Sequence, residues 1–146
     1  MIRYLNLKIS KIILEEVEKK AKSEKIPVVI SIVNSWGYPI AIHFMDGALP
    51  ASYDISLSKA FTAATVRMST KELKDLSCDR GELYGINNTN NNKIVVFPGG
   101  YPLKNYEGIV VGGIGVSGST AYYDDYLADY GRKLYEEVAR CLEKKQ

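Results

Sequence analysis

Hydrophobic residues recur at the spacing of an amphipathic helix near both ends of the chain. Near the start, residues such as Ile9 and Val17 alternate with Lys and Glu, and Asn6 stands at a favourable N-cap position. Pro27 ends this helical pattern. Near the end of the chain, Leu, Tyr and Val form an apolar stripe over residues 120–144, with acidic residues in the first turn. The pattern therefore predicts a first helix and a last helix.

Between these helices the pattern changes to β-branched runs separated by short turns. It predicts five strands, over residues 28–33, 38–45, 93–97, 103–107 and 109–117. The turns within each group of strands are short and rich in Gly, Pro or Asn, which is typical of antiparallel neighbours. The sequence thus predicts an antiparallel sheet made from a hairpin and a three-stranded meander.

Two further helices are predicted between the hairpin and the meander. The first covers residues 50–66, and one of its faces carries small Ala and Ser side chains, which allow close packing. The second is short, covers residues 71–76, and is capped by Ser69 or Thr70. Residues 77–92 are polar and contain a run of Asn, so we expect a surface loop there, with a lid over a pocket as the alternative.

The order of these elements is α-β-β-α-α-β-β-β-α, which is typical of the α+β class. A chain of 146 residues with 46% hydrophobic and 25% charged residues can bury a core of its own. No repeat or linker interrupts the pattern. We therefore expect one domain over residues 1–146, with a five-stranded antiparallel sheet and flanking helices.

Charge and cysteine content argue against several classes of protein. The 19 basic and 17 acidic residues nearly cancel, which disfavours a nucleic-acid partner. The sequence shows neither an apolar run of membrane-spanning length nor a secretory signal, so we expect a cytoplasmic protein with no membrane partner. Cys78 and Cys141 lie far apart in sequence, and we expect buried or half-buried structural thiols.

Four segments carry the residues that could support chemistry. They are residues 44–48 after the hairpin, 54–63 on the small-faced helix, the 98–102 turn, and the glycine-rich 112–118 segment. Gly113-x-Gly115-x-x-Gly118 matches a dinucleotide fingerprint only in its letters, because it lies in an antiparallel meander. His43 is the sole histidine, which excludes every multi-histidine metal site. No catalytic residue can be assigned from these segments.

In this order and at this spacing, the four segments resemble the GlcG/HbpS-like family, which includes the C-terminal domain of PduO-type corrinoid adenosyltransferases. The resemblance covers about residues 5–140. It implies a profilin-like sheet, homo-oligomers from dimers up to octamers, and heme or a corrinoid such as cobalamin as the cofactor. It also implies an association with cobalamin-dependent enzyme systems and with diol or glycerol metabolism.

The resemblance further implies a site formed by the 98–102 turn, the glycine-rich strand and the small-faced helix. Its candidate cofactor-binding residues are His43, Met45, Asp54, Lys59, Gly99, Gly100, Gly113, Gly115 and Ser117. Lys59 is expected either to lie along the surface or pair locally, or to face the site and hold a carboxylate. Two interpretations of the glycines stay open: they permit close packing of the helix, or they let the backbone approach a flat ligand.

Two functions of other classes stay open as well. One is a cofactor-free structural or interaction module whose glycines serve packing alone. The other is an enzyme acting on a small carboxylated metabolite, with Lys59 holding the carboxylate. Independently of these, Tyr122 and Tyr126 lie one helical turn apart and predict a surface for oligomer contacts.

Overall fold

Residues 5–145 are described by a computed structural model, which contains four α-helices and four strands over this range. In chain order these elements are α1 Leu7–Ser23, β1 Val29–Asn34, β2 Pro39–Phe44, α2 Ser52–Val66, α3 Thr70–Ser77, β3 Gly100–Lys104, β4 Val110–Ser117 and α4 Ala121–Glu143. Two single turns of 3-10 helix, Ile86–Asn88 and Asn90–Asn92, lie in the predicted loop. The α+β class predicted from the sequence is confirmed.

The four strands form one antiparallel sheet in the order β2-β1-β4-β3. The prediction of a fifth strand is wrong, because residues 93–97 do not pair with any strand. Their backbone is bound to α2 instead: the N–H of Val95 donates to Thr62 Oγ1 over 2.9 Å, and Ile94 is buried. The five-stranded, profilin-like order is therefore matched only in part.

The third observed strand also begins earlier than its predicted range of 103–107. β3 starts at Gly100, inside the segment predicted as a turn. The turn lies instead at residues 105–108, because the Asn105 side chain accepts the N–H of Ile109 over 3.0 Å and closes the chain there. The sequence pattern predicted a strand pair correctly and misplaced its boundary.

Side-chain caps set the beginnings of the two long helices, as the sequence predicts. Asn6 Oδ1 accepts an N–H of the first turn of α1, and Thr120 does the same for α4. α1 ends at Ser23, earlier than Pro27 requires, because Lys25 adopts a left-handed backbone with φ 58°. The proline therefore lies in the connection to β1 and does not itself end the helix.

The two faces of the sheet bury different kinds of surface. The face toward α1 and α4 carries branched side chains and holds the large core, whose fully buried members include Ile13, Leu14, Ile30, Ile32, Ile114 and Leu127. The face toward α2 carries Ser31, Val33 and two glycines of β4, and the smaller packing cluster lies there. The sheet is thus covered by two helices on one side and by one closely packed helix on the other.

Both cysteines lie at the surface of the protein. Cys78 and Cys141 are free and exposed, so the expectation of buried or half-buried thiols is wrong. Cys78 directly follows α3, and Cys141 lies near the exposed end of α4, where neither is covered by another element. Within residues 5–145, no helix is both long enough and apolar enough to cross a membrane.

Candidate functional site

The nine predicted site residues lie in three separate regions. Six lie where α2 crosses the sheet and where β4 ends, namely Lys59, Gly99, Gly100, Gly113, Gly115 and Ser117. Asp54 borders a groove on another side of α2. His43 and Met45 lie at the other edge of the sheet, next to α1. The nine residues therefore do not share one cavity, and each region has its own geometry.

Glycines on β3 and β4 allow α2 to lie directly against the sheet. A Cβ added at Gly115 would lie 2.6 Å from the backbone nitrogen of Ala60, and one added at Gly113 would collide with the Ala60 carbonyl oxygen. A Cβ at Gly100 would lie 2.6 Å from the carbonyl oxygen of Lys59. Of the two interpretations of these glycines, close packing is the one observed. The space for a flat ligand between α2 and β4 is filled by the helix itself.

The Lys59 side chain is 1% exposed, so the expectation of a surface position or a local pair is wrong. Its Nζ donates to the carbonyl oxygen of Val116 over 2.8 Å and to Asp124 Oδ2 over 3.1 Å. The centre of the Phe97 ring lies 5.2 Å from the same nitrogen. Gly99 lies so close that an added Cβ would be 2.6 Å from Nζ. Lys59 therefore joins α2 to both β4 and α4 from a buried position.

Asp124 completes this ion pair from the first turn of α4. Its Oδ1 accepts the N–H of Ser119 over 2.9 Å, while Oδ2 binds Lys59. Burial raises the pKa of the Asp124 carboxyl, and the Lys59 ammonium opposes this effect. Burial likewise lowers the pKa of Lys59 against the attraction of Asp124. Each charge is therefore tolerated inside the protein because its partner is present.

A cavity of about 240 Å³ opens beside the ion pair, where the end of β4 meets the start of α4. Its lining combines the polar residues Lys59, Ser117, Ser119 and Asp124 with the apolar side chains Leu49, Ile55 and Phe97. Ser117 is 5% exposed and lies at the end of β4. We refer to this space as the Lys59 cavity.

A wider groove of about 450 Å³ lies between α2 and the β1–β2 turn. Trp36 and Tyr38 from the turn and Phe61 from α2 line it, and Lys93 Nζ lies 5.3 Å from the centre of the Phe61 ring. Asp54 lies at its border, in the first turn of α2. The Asn-rich segment forms another part of the wall, so the segment predicted as a loop or lid does border a pocket.

His43 lies on β2 beside the carboxylate of Glu18, which belongs to α1. Its Nδ1 is 3.3 Å from Glu18 Oε1, and its side chain is 28% exposed. Although the two groups are close, Nδ1 is buried and has no well-formed hydrogen bond among the described residues. A carboxylate beside one ring nitrogen is the usual environment of a metal-binding histidine, whose other nitrogen meets the metal.

Met45 contributes to an open cleft of about 360 Å³ next to this histidine. The cleft combines apolar residues with charged ones, namely Ile26, Pro27, Phe44 and Met45 with Glu18, Lys22, Lys25 and Asp46. Glu18 therefore borders the cleft and contacts His43 at the same time. We refer to this space as the α1–β2 cleft.

Sequence reasoning missed four residues that shape these regions. Asp124 was predicted only to favour the start of the last helix, and no local signal links it to Lys59, which lies 65 positions away. Phe97 was assigned to a strand that is not present. Glu18 and Lys22 lie four positions apart on α1, and this spacing was the only available signal that they share a helix face.

The fold and these regions define a class of small α+β proteins with a four-stranded antiparallel sheet and a mixed polar and apolar cleft. A family model described as "Haem degrading protein HbpS-like" matches residues 5–133. The chain therefore belongs to the HbpS-like family, as the resemblance of the four sequence segments predicted.

Similar proteins support this membership over most of the chain. An uncharacterized protein in the dhaT-dhaS intergenic region of Citrobacter freundii is 38% identical over 94% of this chain and 96% of its own length. The corrinoid adenosyltransferase PduO of Salmonella typhimurium is 36% identical over 75% of this chain, but the match spans only 32% of that protein. The solved structure of a PduOC:heme complex is 30% identical, has a TM-score of 0.85, and matches over 90% of this chain and 94% of that one.

Proposed function

We propose that this chain is a small heme-binding protein whose heme site is the α1–β2 cleft. The observation that carries the proposal is the likeness to the PduOC:heme complex, at 30% identity over 90% of the chain. The description of the matching family as haem degrading supports the same cofactor. The glycine-rich strand is not part of this proposed site, because α2 covers it.

The surroundings of His43 fit an iron ligand. Its Nδ1 is a buried polar atom without a well-formed hydrogen bond, and the Glu18 carboxylate lies 3.3 Å away. A hydrogen on Nδ1 directed at Glu18 would leave Nε2 to bind the iron. Glu18 would then act as a positioning residue that fixes the tautomer and the orientation of the ring.

His43 lies beside the lining of the cleft, and the residues that do line it fit the apolar face and the charged propionates of a heme. Phe44 and Met45 offer apolar contacts to the porphyrin, and Phe44 is 50% exposed. Lys22 and Lys25 offer ammonium groups to the two propionates. A bound heme would supply a redox-active iron, which is the chemistry that a heme-degrading activity needs. The residues of the chain would bind the heme, orient it and partly shield it from water.

Titration of the apoprotein with hemin tests the proposal through the visible spectrum. We expect a saturable Soret change in the wild-type protein and its loss in His43→Ala. Glu18→Gln is expected to weaken binding by about 10–100-fold, because it removes the charge beside the ring. Glu15→Gln on the same helix is the matched control and should bind hemin like the wild type. Equal binding by wild type and His43→Ala would contradict His43 as the ligand.

A corrinoid is the second candidate cofactor, favoured by the 36% identity to the corrinoid adenosyltransferase PduO. We propose an accessory role beside cobalamin-dependent enzymes of diol or glycerol metabolism on the same grounds. A parallel titration with cobalamin tests this choice. No spectral change with either ligand would contradict the cofactor proposal and would favour the cofactor-free interaction module.

We also propose that the protein forms homo-oligomers, from dimers up to octamers. The α1–β2 cleft is open, so a second subunit would cover a heme bound there. Tyr122 is 75% exposed and Tyr126 38% exposed, and clusters of exposed aromatic side chains are typical of contact surfaces. Multi-angle light scattering after gel filtration measures the mass directly, and the monomer mass of 16.3 kDa at high concentration would contradict the proposal.

A further inference from the structure

The sheet has two edge strands, β2 and β3, and the outer edge of β3 is protected. In an antiparallel pair, alternate residues direct their N–H and C=O groups at the neighbouring strand, and the residues between direct them away. The carbonyl oxygen of Gly99 accepts the N–H of Val116 on β4 over 2.8 Å. The same alternation makes Gly100 and Pro102 the outward residues of β3. The N–H of Gly100 donates to Thr70 Oγ1 over 2.9 Å, and proline has no N–H, so neither position offers a donor to another strand.

The outer edge of β2 has no such protection. The N–H of Met45 donates to the carbonyl oxygen of Val28 over 3.1 Å, and the register then places Phe44 opposite Val29. Alternation from Met45 makes Phe44 and Ile42 the residues whose N–H and C=O groups point away from β1. Within residues 5–145, no strand lies on that side of β2. Two N–H and two C=O groups are therefore directed outward without a strand to pair with.

The side chains of β2 do not prevent pairing with another strand. Edge strands of soluble proteins usually carry Lys or other charged residues that discourage it, but residues 39–44 contain neither Lys, Arg, Asp nor Glu. Pro39 and the register shift beside it protect only the start of the strand. No residue of β2 is buried, and Phe44 is 50% exposed. An exposed, uncharged edge of this kind favours the addition of a further strand.

A second copy of β2 complements this edge. Antiparallel pairing about a twofold axis at His43 places Ile42 of one copy opposite Phe44 of the other. In this register every outward N–H and C=O group of the two residues meets a partner in the other copy. An axis at Ile42 would instead place Phe44 opposite Ile40, which lies at the register shift. The axis at His43 therefore uses the outward groups most completely.

The helix beside β2 is compatible with the same arrangement. α1 packs against β1 and β2, so the two copies of α1 would lie side by side on one face of the joined sheet. Glu18 contacts His43, and Lys11, Glu15 and Lys22 lie on the same side of the helix by their spacing. Two lysines and two glutamates cancel, so this side carries no net charge that would repel its copy. Helix contact adds to the area of strand pairing, toward the roughly 1,200 Å² typical of stable interfaces.

We propose that two copies of this chain associate by antiparallel pairing of β2 with β2, which joins their four-stranded sheets into one sheet across a twofold axis at His43. The inference rests on the homo-oligomer proposed above and names a contact surface for it, separate from Tyr122 and Tyr126. Because each contact joins two identical edges, the number of subunits is even. The pairing does not depend on heme, and the apoprotein is used to test it.

Disulfide cross-linking tests the strand register. Opposite residues that do not exchange hydrogen bonds have Cα atoms about 4.5 Å apart, a separation that a disulfide can span. In the Cys78→Ser/Cys141→Ser background, which removes both exposed thiols, His43→Cys should form covalent dimers on mild oxidation, seen on a non-reducing gel. Lys104→Cys on the other edge strand is the matched control and should remain monomeric on the gel. Equal cross-linking of the two variants would overturn the assignment to β2.

Ile42→Pro tests the backbone pairing itself. The N–H of Ile42 points away from β1, so proline removes an outward donor and leaves the hydrogen bonds between β1 and β2 in place. By multi-angle light scattering, we expect an even multiple of 16.3 kDa for the wild type and at most half of that mass for the variant. Ile42→Lys keeps the backbone, adds a charge to the edge, and should lower the mass in the same way. Circular dichroism checks the fold of both variants, and Tyr84→Lys, at a side chain that is 71% exposed, should keep the wild-type mass.

The outcomes separate this inference from the proposals on which it builds. A wild-type mass of 16.3 kDa would overturn both the homo-oligomer and the pairing through β2. An oligomer whose mass is unchanged in folded Ile42→Pro and Ile42→Lys would leave the homo-oligomer standing and overturn the pairing. Absence of His43→Cys cross-links in a stable oligomer would overturn the proposed register. Neither measurement involves hemin, so the heme proposal is tested independently by its titration.

Discussion

Lys59 and Asp124 form a buried ion pair, and each charge depends on the other for its stability inside the protein. Lys59 is fully enclosed, yet its ammonium has a carboxylate at 3.1 Å and a carbonyl oxygen at 2.8 Å. Burial of either group alone would be very costly, because an ion in the protein interior loses its hydration. The pair therefore constrains α2, β4 and α4 to meet at one point beside the cavity.

Breaking this pair should be much more harmful than replacing it. Lys59→Met leaves the Asp124 carboxylate buried without a cation, and we expect a loss of about 3–5 kcal/mol in the free energy of unfolding. The double variant Lys59→Met/Asp124→Asn keeps an acceptor for the Ser119 N–H without a buried charge, and should recover most of that loss. Urea denaturation followed by circular dichroism measures both values.

The exposed pair formed by Lys19 and Glu16 provides the control for this experiment. Its nitrogen and oxygen are 3.2 Å apart, but the Lys19 side chain is 71% exposed. Lys19→Met should change the free energy of unfolding by no more than about 0.5 kcal/mol. A double variant as unstable as Lys59→Met alone would show that the buried charge is not the cause of the loss.

Tyr135 should make stability fall at alkaline pH. It is 2% exposed, and burial raises its pKa from 10.0 to about 12. Below pH 10 both states keep the phenol proton, whereas between pH 10 and 12 the folded state binds more protons than the unfolded state, so the free energy of unfolding falls as pH rises. At pH 11 the loss attributable to Tyr135 should be on the order of 1 kcal/mol.

Comparison of variants isolates this contribution from other alkaline titrations. Tyr135→Phe should lose less stability than the wild type between pH 9 and pH 11, measured as a difference in free energies of unfolding in urea. Tyr122→Phe alters an exposed ring and should follow the wild-type slope. The same slope for wild type and Tyr135→Phe would contradict the assignment.

At the scale of elements, the contact between α2 and β4 depends on the absence of side chains on the strand. Gly113 and Gly115 lie opposite Ala60 and Ala64 on the helix, and backbone atoms of the two elements come into direct contact. The hydroxyls of Ser31 and Ser56 form a hydrogen bond of 2.8 Å across the same interface. The small face of the helix and the bare face of the strand are thus two halves of one packing arrangement.

Gly115→Ala should separate these two elements. The added Cβ would lie 2.6 Å from the Ala60 nitrogen, and the obstacle is backbone that cannot rotate away. We expect a loss of about 3 kcal/mol or more in the free energy of unfolding, at the upper end of overpacking effects. Gly108→Ala has open space around the added atom, and its φ of 80° should limit the loss to about 1–2 kcal/mol. Equal losses in the two variants would argue against tight packing as the cause.

At the scale of the whole molecule, the α1–β2 cleft and the Lys59 cavity share a wall. Pro27 lines the cleft and Gly118 lines the cavity, and a Cβ added at Gly118 would lie 2.8 Å from the Pro27 carbonyl oxygen. The start of β1 and the end of β4 are neighbours in the sheet, with Val29 opposite Ser117. The two spaces therefore lie at the same end of the sheet.

Heme binding should stabilise the folded protein as a whole. A ligand that binds only the folded state raises the free energy of unfolding by about 2.7 kcal/mol at a hundredfold excess over its Kd. For a chain of 146 residues this corresponds to a rise in Tm of roughly 8–10 °C. Thermal unfolding followed by circular dichroism with and without hemin measures the rise, which should be absent in His43→Ala. A similar rise in both proteins would contradict binding at His43.

Local sequence patterns were sufficient to predict most of the secondary structure and the family. The N-cap at Asn6, the range of α4 and the hairpin of β1 and β2 follow from neighbouring residues, because caps, periodicity and turns are local interactions. The four sequence segments were sufficient to predict the HbpS-like family, which the match over residues 5–133 confirms. For residues 93–97 the same reasoning failed, because tertiary contact with α2 replaced strand pairing.

The candidate site depended on contacts that no local pattern encodes. The sequence by itself determined that β4 carries glycines and that one face of α2 is small, and the family resemblance made Lys59 and Ser117 candidate site residues. Only the tertiary structure decided that Lys59 pairs with Asp124, 65 residues away, and that α2 fills the glycine face. The physical reason is that ion pairing and close packing depend on distance in space, which chain separation does not predict.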